Sequence, residues 1–148
     1  MSINTHKQKL IIILAAAAAA SCTGNGNDLA TQGASGENDI ALENTLRQAS
    51  DRVNRQLPMM IDRDTRADST ITGPGKKWTY LYTLVSLDSA EVTEQQLKET
   101  LASNLKNGVC TAKETRFFSD NGVTIVYKFR GKDGGMIGDV TIVPSECP

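Results

Sequence analysis

Apolar residues fall at positions 42, 46, 49, 53 and 57, in steps of 4, 3, 4 and 4, which is one face of a helix. Glu43, Asn44, Arg47, Asp51, Arg52 and Arg55 fill the other faces. Pro58 stops the run, because the residue before a proline is pushed out of the helical region. This pattern predicts a helix over 39–56. The period then changes. Residues 66–72 alternate weakly, and Gly73-Pro74-Gly75 marks a turn. From Lys77 to Leu87, Trp78, Tyr80, Tyr82 and Leu84 share one face, while Leu81 and Val85 share the other with Thr79 and Thr83. The two segments read as a hairpin.

Thr93 and Gln96 form a capping box ahead of a second helix, whose Leu97, Leu101, Leu105 and Val109 repeat at four. Asn107-Gly108 reads as its C-cap. Thr111 and Glu114 suggest another box and a short turn through Phe117-Phe118, ended by Asn121-Gly122. Val123, Ile125, Tyr127 and Phe129 alternate across 123–130, Asp133-Gly134 signals a hairpin, and 136–143 forms the last strand. Gly138 reads as a bulge in it, and Pro144 closes it. The order is helix-strand-strand-helix-strand-strand. That predicts an α+β domain with an antiparallel four-stranded sheet packed on one face by helices. A cystatin-like arrangement is one candidate, by topology analogy.

The first 38 residues carry no such period. Lys7 and Lys9 precede Leu10–Ala20, eleven residues without a polar side chain, followed by Ser21-Cys22. This is the basic, apolar and small-residue order of an export signal over 1–21. Eleven is short of the roughly 20 apolar residues of a membrane-spanning helix. Ala19-Ala20-Ser21-Cys22 resembles the lipobox of bacterial lipoproteins, departing from it at Ala19, where that family usually has Leu. The resemblance implies that Cys22 becomes an acylated N-terminus that holds the protein to a membrane. Thr23 stands where an Asp would favour the inner membrane, which points to the outer membrane. Cleavage by ordinary signal peptidase fits the same run, so a soluble secreted or periplasmic product is the alternative. Residues 22–38, rich in Gly, Asn, Ser and Thr, read as a tether with a reach of roughly 20 Å. The folded domain is then 39–148.

Composition narrows the chemistry. The only histidine, His6, lies in the segment expected to be removed. A mature protein without histidine excludes His-based triads, His-ligated metals and His pH switches. Whole, the sequence has net charge −1; without residues 1–21 it has fourteen basic against seventeen acidic residues. Net charge therefore draws it to neither nucleic acid nor anionic membrane. Of three cysteines, Cys22, Cys110 and Cys147, acylation accounts for the first. The other two should pair in an oxidising compartment, pinning the C-terminus to the end of the second helix. No cofactor motif is present.

The densest polar stretch is 54–68, where Asp62, Asp64 and Asp68 alternate with Arg63 and Arg66. It lacks the glycine and bidentate Glu of a calcium loop, so no metal is expected. It reads as a polar edge that discourages sheet-to-sheet association, with partner contact as the functional alternative. Met59-Met60 reads as core filling or an adaptable contact surface. The Trp78, Tyr80, Tyr82 stripe reads as packing under a helix. Lys76, Lys77, Lys128, Arg130 and Lys132 are candidates for one basic end.

The run Val53–Asp68, VNRQLPMMIDRDTRAD, with Tyr80 and Tyr82 and with Cys110…Asn121-Gly122-Val123…Cys147, resembles an uncharacterised family of small exported or anchored bacterial proteins. The resemblance spans about residues 45–147. It implies an exported domain with this fold and a bonded cysteine pair, and it implies no reaction. Two readings follow. The first is a non-enzymatic envelope lipoprotein that binds another protein as an assembly factor, pilotin or inhibitor. The second is an enzyme or small-ligand binder with a helix-sheet pocket served by Asp62, Asp64 or Tyr80.

Overall fold

The computed structural model describes residues 34–147. The expected signal segment, Cys22 and most of the tether lie outside them. Helix α1 spans Ala34–Asn54. It therefore starts five residues before Asp39, within the stretch read as tether. It buries Leu46, Ala49, Ser50 and Val53, the expected face. Lys76 binds Asp39 at 2.7 Å, and the Gly75 N–H donates to Glu43 at 2.9 Å. Both contacts tie α1 to the turn it passes.

Five strands follow: β1 (Met59–Met60), β2 (Thr65–Gly73), β3 (Lys77–Leu84), β4 (Thr124–Gly131) and β5 (Met136–Ile142). They pair in sequence order in one sheet. All neighbours are antiparallel except β3 and β4, which run parallel in continuous register from Lys77↔Thr124 to Leu84↔Gly131. The four-stranded antiparallel arrangement is thus corrected to a five-stranded mixed sheet, and the cystatin-like analogy resting on it falls too. Physically, β3 and β4 are not linked by a tight turn. A long connection carrying two helices brings the backbone round to the same end of the sheet, as parallel pairing requires.

That connection holds α2 (Glu94–Thr111), a tight turn at Lys113–Thr115 and α3 (Arg116–Asp120). The Thr93/Gln96 box forms as expected, with the Thr93 side chain accepting from the Gln96 N–H. Asn107-Gly108 does not cap α2. The helix runs on to Thr111 because Val109, one turn beyond Leu105, is buried in the core, and that burial outweighs the cost of an interior glycine.

Helix α1 packs on β2 and α2 on β5, so both cover the same sheet face. Between and beneath them lie Trp78, Tyr80 and Tyr82 of β3 with Ile125, Tyr127 and Phe129 of β4, all buried. Tyr80 and Tyr127 stack with centroids 5.2 Å apart and planes 16° off parallel; Tyr82 and Tyr127 stack at 6.1 Å. Burial raises all three phenol pKa values, so these hydroxyls stay protonated. The ladder slips between Phe129 and Arg130, opposite Gly138, the bulge the sequence suggests. A side chain at Gly138 would collide with Glu94 in the first turn of α2, so glycine lets helix and strand meet. Cys110, in the last turn of α2, is bonded to Cys147, with Cα atoms 5.3 Å apart.

Candidate functional site

A cleft of about 370 Å³ opens beside α2 at the end of the sheet where β3 finishes. Its floor is apolar: Leu84, Leu97, Leu101, Leu105 and Phe129, with Leu87 and Val92 from the loop between β3 and α2. Asp62, Glu91, Gln96, Thr100 and Asn104 line it with polar groups. The four-residue repeat of α2 explains the arrangement. Leu97, Leu105 and Val109 reach the core, while Leu101 stays half-buried. Beside that row Gln96, Thr100 and Asn104 are polar, and of the leucines Leu101 is the one left accessible.

The wall made by the β3–α2 loop is held from outside. The Lys132 N–H donates to the Leu87 carbonyl at 2.8 Å. The Ser89 N–H and hydroxyl both donate to the Asp133 carboxylate, at 2.9 and 2.7 Å. Those bonds from Ser89, the side-chain one first, hold the Asp133 pKa below its ordinary 3.8. Gly131 is also required here, because a Cβ at that position would collide with the Ser89 backbone.

The polar stretch 62–68 does not converge on one site. Asp62 accepts the N–H groups of Asp64 and Thr65 at 2.9 and 2.8 Å, and with Thr65 it lines the cleft. Arg63 and Asp64 are exposed. Arg66 and Asp68 line a recess shared with Arg130 and Lys132, on the sheet face away from the helices. Asp62 lies in the turn before β2, at the cleft, whereas Arg66 and Asp68 on β2 share the opposite sheet face. Tyr80 is buried in the stack and does not line the cleft, so Asp62, Asp64 and Tyr80 do not assemble. Among the described residues no group of three acidic, His or Cys side chains could hold a metal.

The basic residues divide as well. Lys77 pairs with Thr124 at one end of the parallel ladder, and Arg130 lies near the other. They do not form a single basic end. Met59 packs against the core and Met60 stays half-exposed on the two-residue edge strand. Sequence reasoning offered a helix-sheet pocket with Asp62 as its second reading, and Asp62 does line the cleft, but it missed the other lining residues, which come from positions 65 to 129. The signal that could have found it was Leu101 in a leucine row with Gln96, Thr100 and Asn104 alongside.

Residues 41–137 match the domain of unknown function DUF8479. The protein belongs to that family. No curated protein sequence matches it. Among solved structures, the family's fold is shared by a protein from Pseudomonas aeruginosa assigned as secreted, with 15% identity and a TM-score of 0.62 over 83% of this protein and 100% of that one. The EpsS pilotin of the Vibrio vulnificus type 2 secretion system aligns with 17% identity and a TM-score of 0.61, over 76% of this protein and 97% of its own length. The type II secretion pilotin AspS of Vibrio cholerae aligns with 19% identity and a TM-score of 0.58, over 78% and 100%. At these identities the likeness establishes a shared α+β fold.

Proposed function

We propose that this protein is a non-enzymatic cell-envelope lipoprotein that docks another protein in the cleft beside α2. The observation that carries this reading is the cleft itself. Leu84, Leu87, Val92 and Leu101 form an open apolar floor, with Phe129 packed beneath it. A partner segment presenting apolar side chains would bury that floor, and the polar side chains around it would set its direction. Two of the structural neighbours are secretion-system pilotins and the third is assigned as secreted, which supports an envelope role and a protein partner. Export by residues 1–21 and acylation of Cys22 complete the proposal. A tether then gives the domain roughly 20 Å of reach from its anchor.

The anchor is tested by the intact mass of native protein extracted from membranes. The expected mass is that of residues 22–148 plus acyl groups, rising by two hydrogens on reduction of the Cys110–Cys147 bond. An unacylated soluble product would replace the lipoprotein with a periplasmic or secreted protein. Docking is tested by Leu101→Glu in crosslinked cells. Because Leu101 is only partly buried, the variant should fold, and it should lose the partner adduct that wild type gives. An adduct unchanged in the variant would refute the cleft as the docking site.

A further inference from the structure

We infer a second recognition site on the opposite face of the sheet: the Arg130 recess binds a carboxylate carried by a partner protein. It stands apart from the cleft and does not depend on it.

Register places the residues. Arg66 of β2 pairs with Thr83 of β3, and Thr83 pairs with Arg130 of β4. Phe129 points into the helix-covered core, so Arg130 points the other way, and the three form one row across the uncovered face. They line a recess of about 460 Å³ with Asp68, Pro58 and the β4–β5 hairpin residues Gly131, Lys132 and Gly134.

The carboxylate already in the recess is fully used. Asp68 takes the Arg66 Nε–H on one oxygen at 2.6 Å and the Thr83 hydroxyl on the other at 2.5 Å. Lys132 is paired with Asp88 at 3.2 Å. Arg130 is the exception. Its Nε is buried with no hydrogen-bond partner, and none of the ion pairs among the described residues includes it. An unpaired guanidinium bordering a recess with room for a side chain can take an acceptor from outside the domain.

The donor set selects the ligand. With Nε closed off, the guanidinium meets a ligand through its two Nη groups, whose planar N–H pair matches the two oxygens of a carboxylate. Three cations against Asp68 leave a surplus of two in the lining, and Asp88 reduces it through Lys132. That balance suits a single negative charge better than a phosphate dianion. At the hairpin beside the guanidinium, Gly134 has no side chain to obstruct the approach. The occupant is therefore an Asp or Glu side chain, or the terminal carboxylate, of a docked protein.

The test is a nuclear magnetic resonance titration of the folded protein with the tripeptide acetyl-Gly-Glu-Gly-amide, following the Arg130 Nε–H and the amides of Thr83 and Gly131. The expected result is a saturable shift in the millimolar range, with the Gln-containing tripeptide silent. Arg130→Lys keeps the charge but loses the fork and should weaken binding about tenfold. Arg130→Gln should abolish it, and Lys128→Gln, a charge loss on the same strand and face, should leave it unchanged. If Arg130→Gln does not fold, the lysine variant decides. Equal response to the Gln peptide, or full affinity in Arg130→Lys, would overturn the inference. Tighter binding of inorganic phosphate than of the Glu peptide would overturn it in favour of a phosphate site.

Discussion

At Asn54 one side chain takes the place of a strand. Edge strand β1 pairs with β2 only at Ala67 and Arg66, which leaves the backbone of Thr70 unpaired on that side. The Thr70 N–H donates to the Asn54 carbonyl at 2.7 Å, and the Asn54 amide donates to the Thr70 carbonyl at 2.9 Å. Ser50 adds a hydroxyl contact to the Thr70 hydroxyl at 2.8 Å. The last turn of α1 is thereby fixed to the middle of β2. Asn54→Ala leaves the Thr70 N–H without an acceptor and should cost about 1–3 kcal/mol in urea unfolding. Asn54→Asp keeps that acceptor and should cost less; equal losses would show that the amide acts only by filling space. From sequence, Asn54 was legible only as one polar position near the end of a helix, because its partner lies sixteen residues further on and nothing local marks it.

At the scale of elements, local periodicity revealed what is local. The 42-46-49-53 spacing located α1, the Thr93/Gln96 box located the start of α2, and Trp78-Tyr80-Tyr82 gave β3 its inward face. Pairing was not legible. Strand alternation states which side chains share a face but not which strand lies alongside, so the parallel β3–β4 contact was missed. Two-residue β1 is too short to carry a period at all. For the same reason Asp62 and Asp68 looked like one cluster, although the sheet lies between the sites they serve. The Cys110–Cys147 bond joins the end of α2 to the segment after β5 and closes a loop of 36 intervening residues. On the loop-entropy model its reduction should lower stability by about 3–4 kcal/mol. Urea unfolding with and without reductant measures this. An unchanged midpoint would mean that α2 and the C-terminal turn are held by packing alone.

The whole molecule presents two unlike faces. On one, two helices cover an aromatic core and leave a leucine-floored cleft at the sheet's end. On the other, the uncovered sheet carries Ile71, Leu81 and Val126 along with the polar row through Arg66, Thr83 and Arg130. No helix among the described residues is long and apolar enough to cross a membrane, so attachment in the proposed lipoprotein falls to Cys22 and the tether. Docking through the cleft is tested most directly by a photo-crosslinking residue placed singly at Thr100, which lines the cleft, or at Arg47, exposed on α1, in cells producing the full-length protein. The prediction is a discrete protein adduct from position 100, none from position 47, and loss of the adduct when Leu101→Glu is added. No adduct at position 100, or equal adducts at both positions, would contradict docking in the cleft.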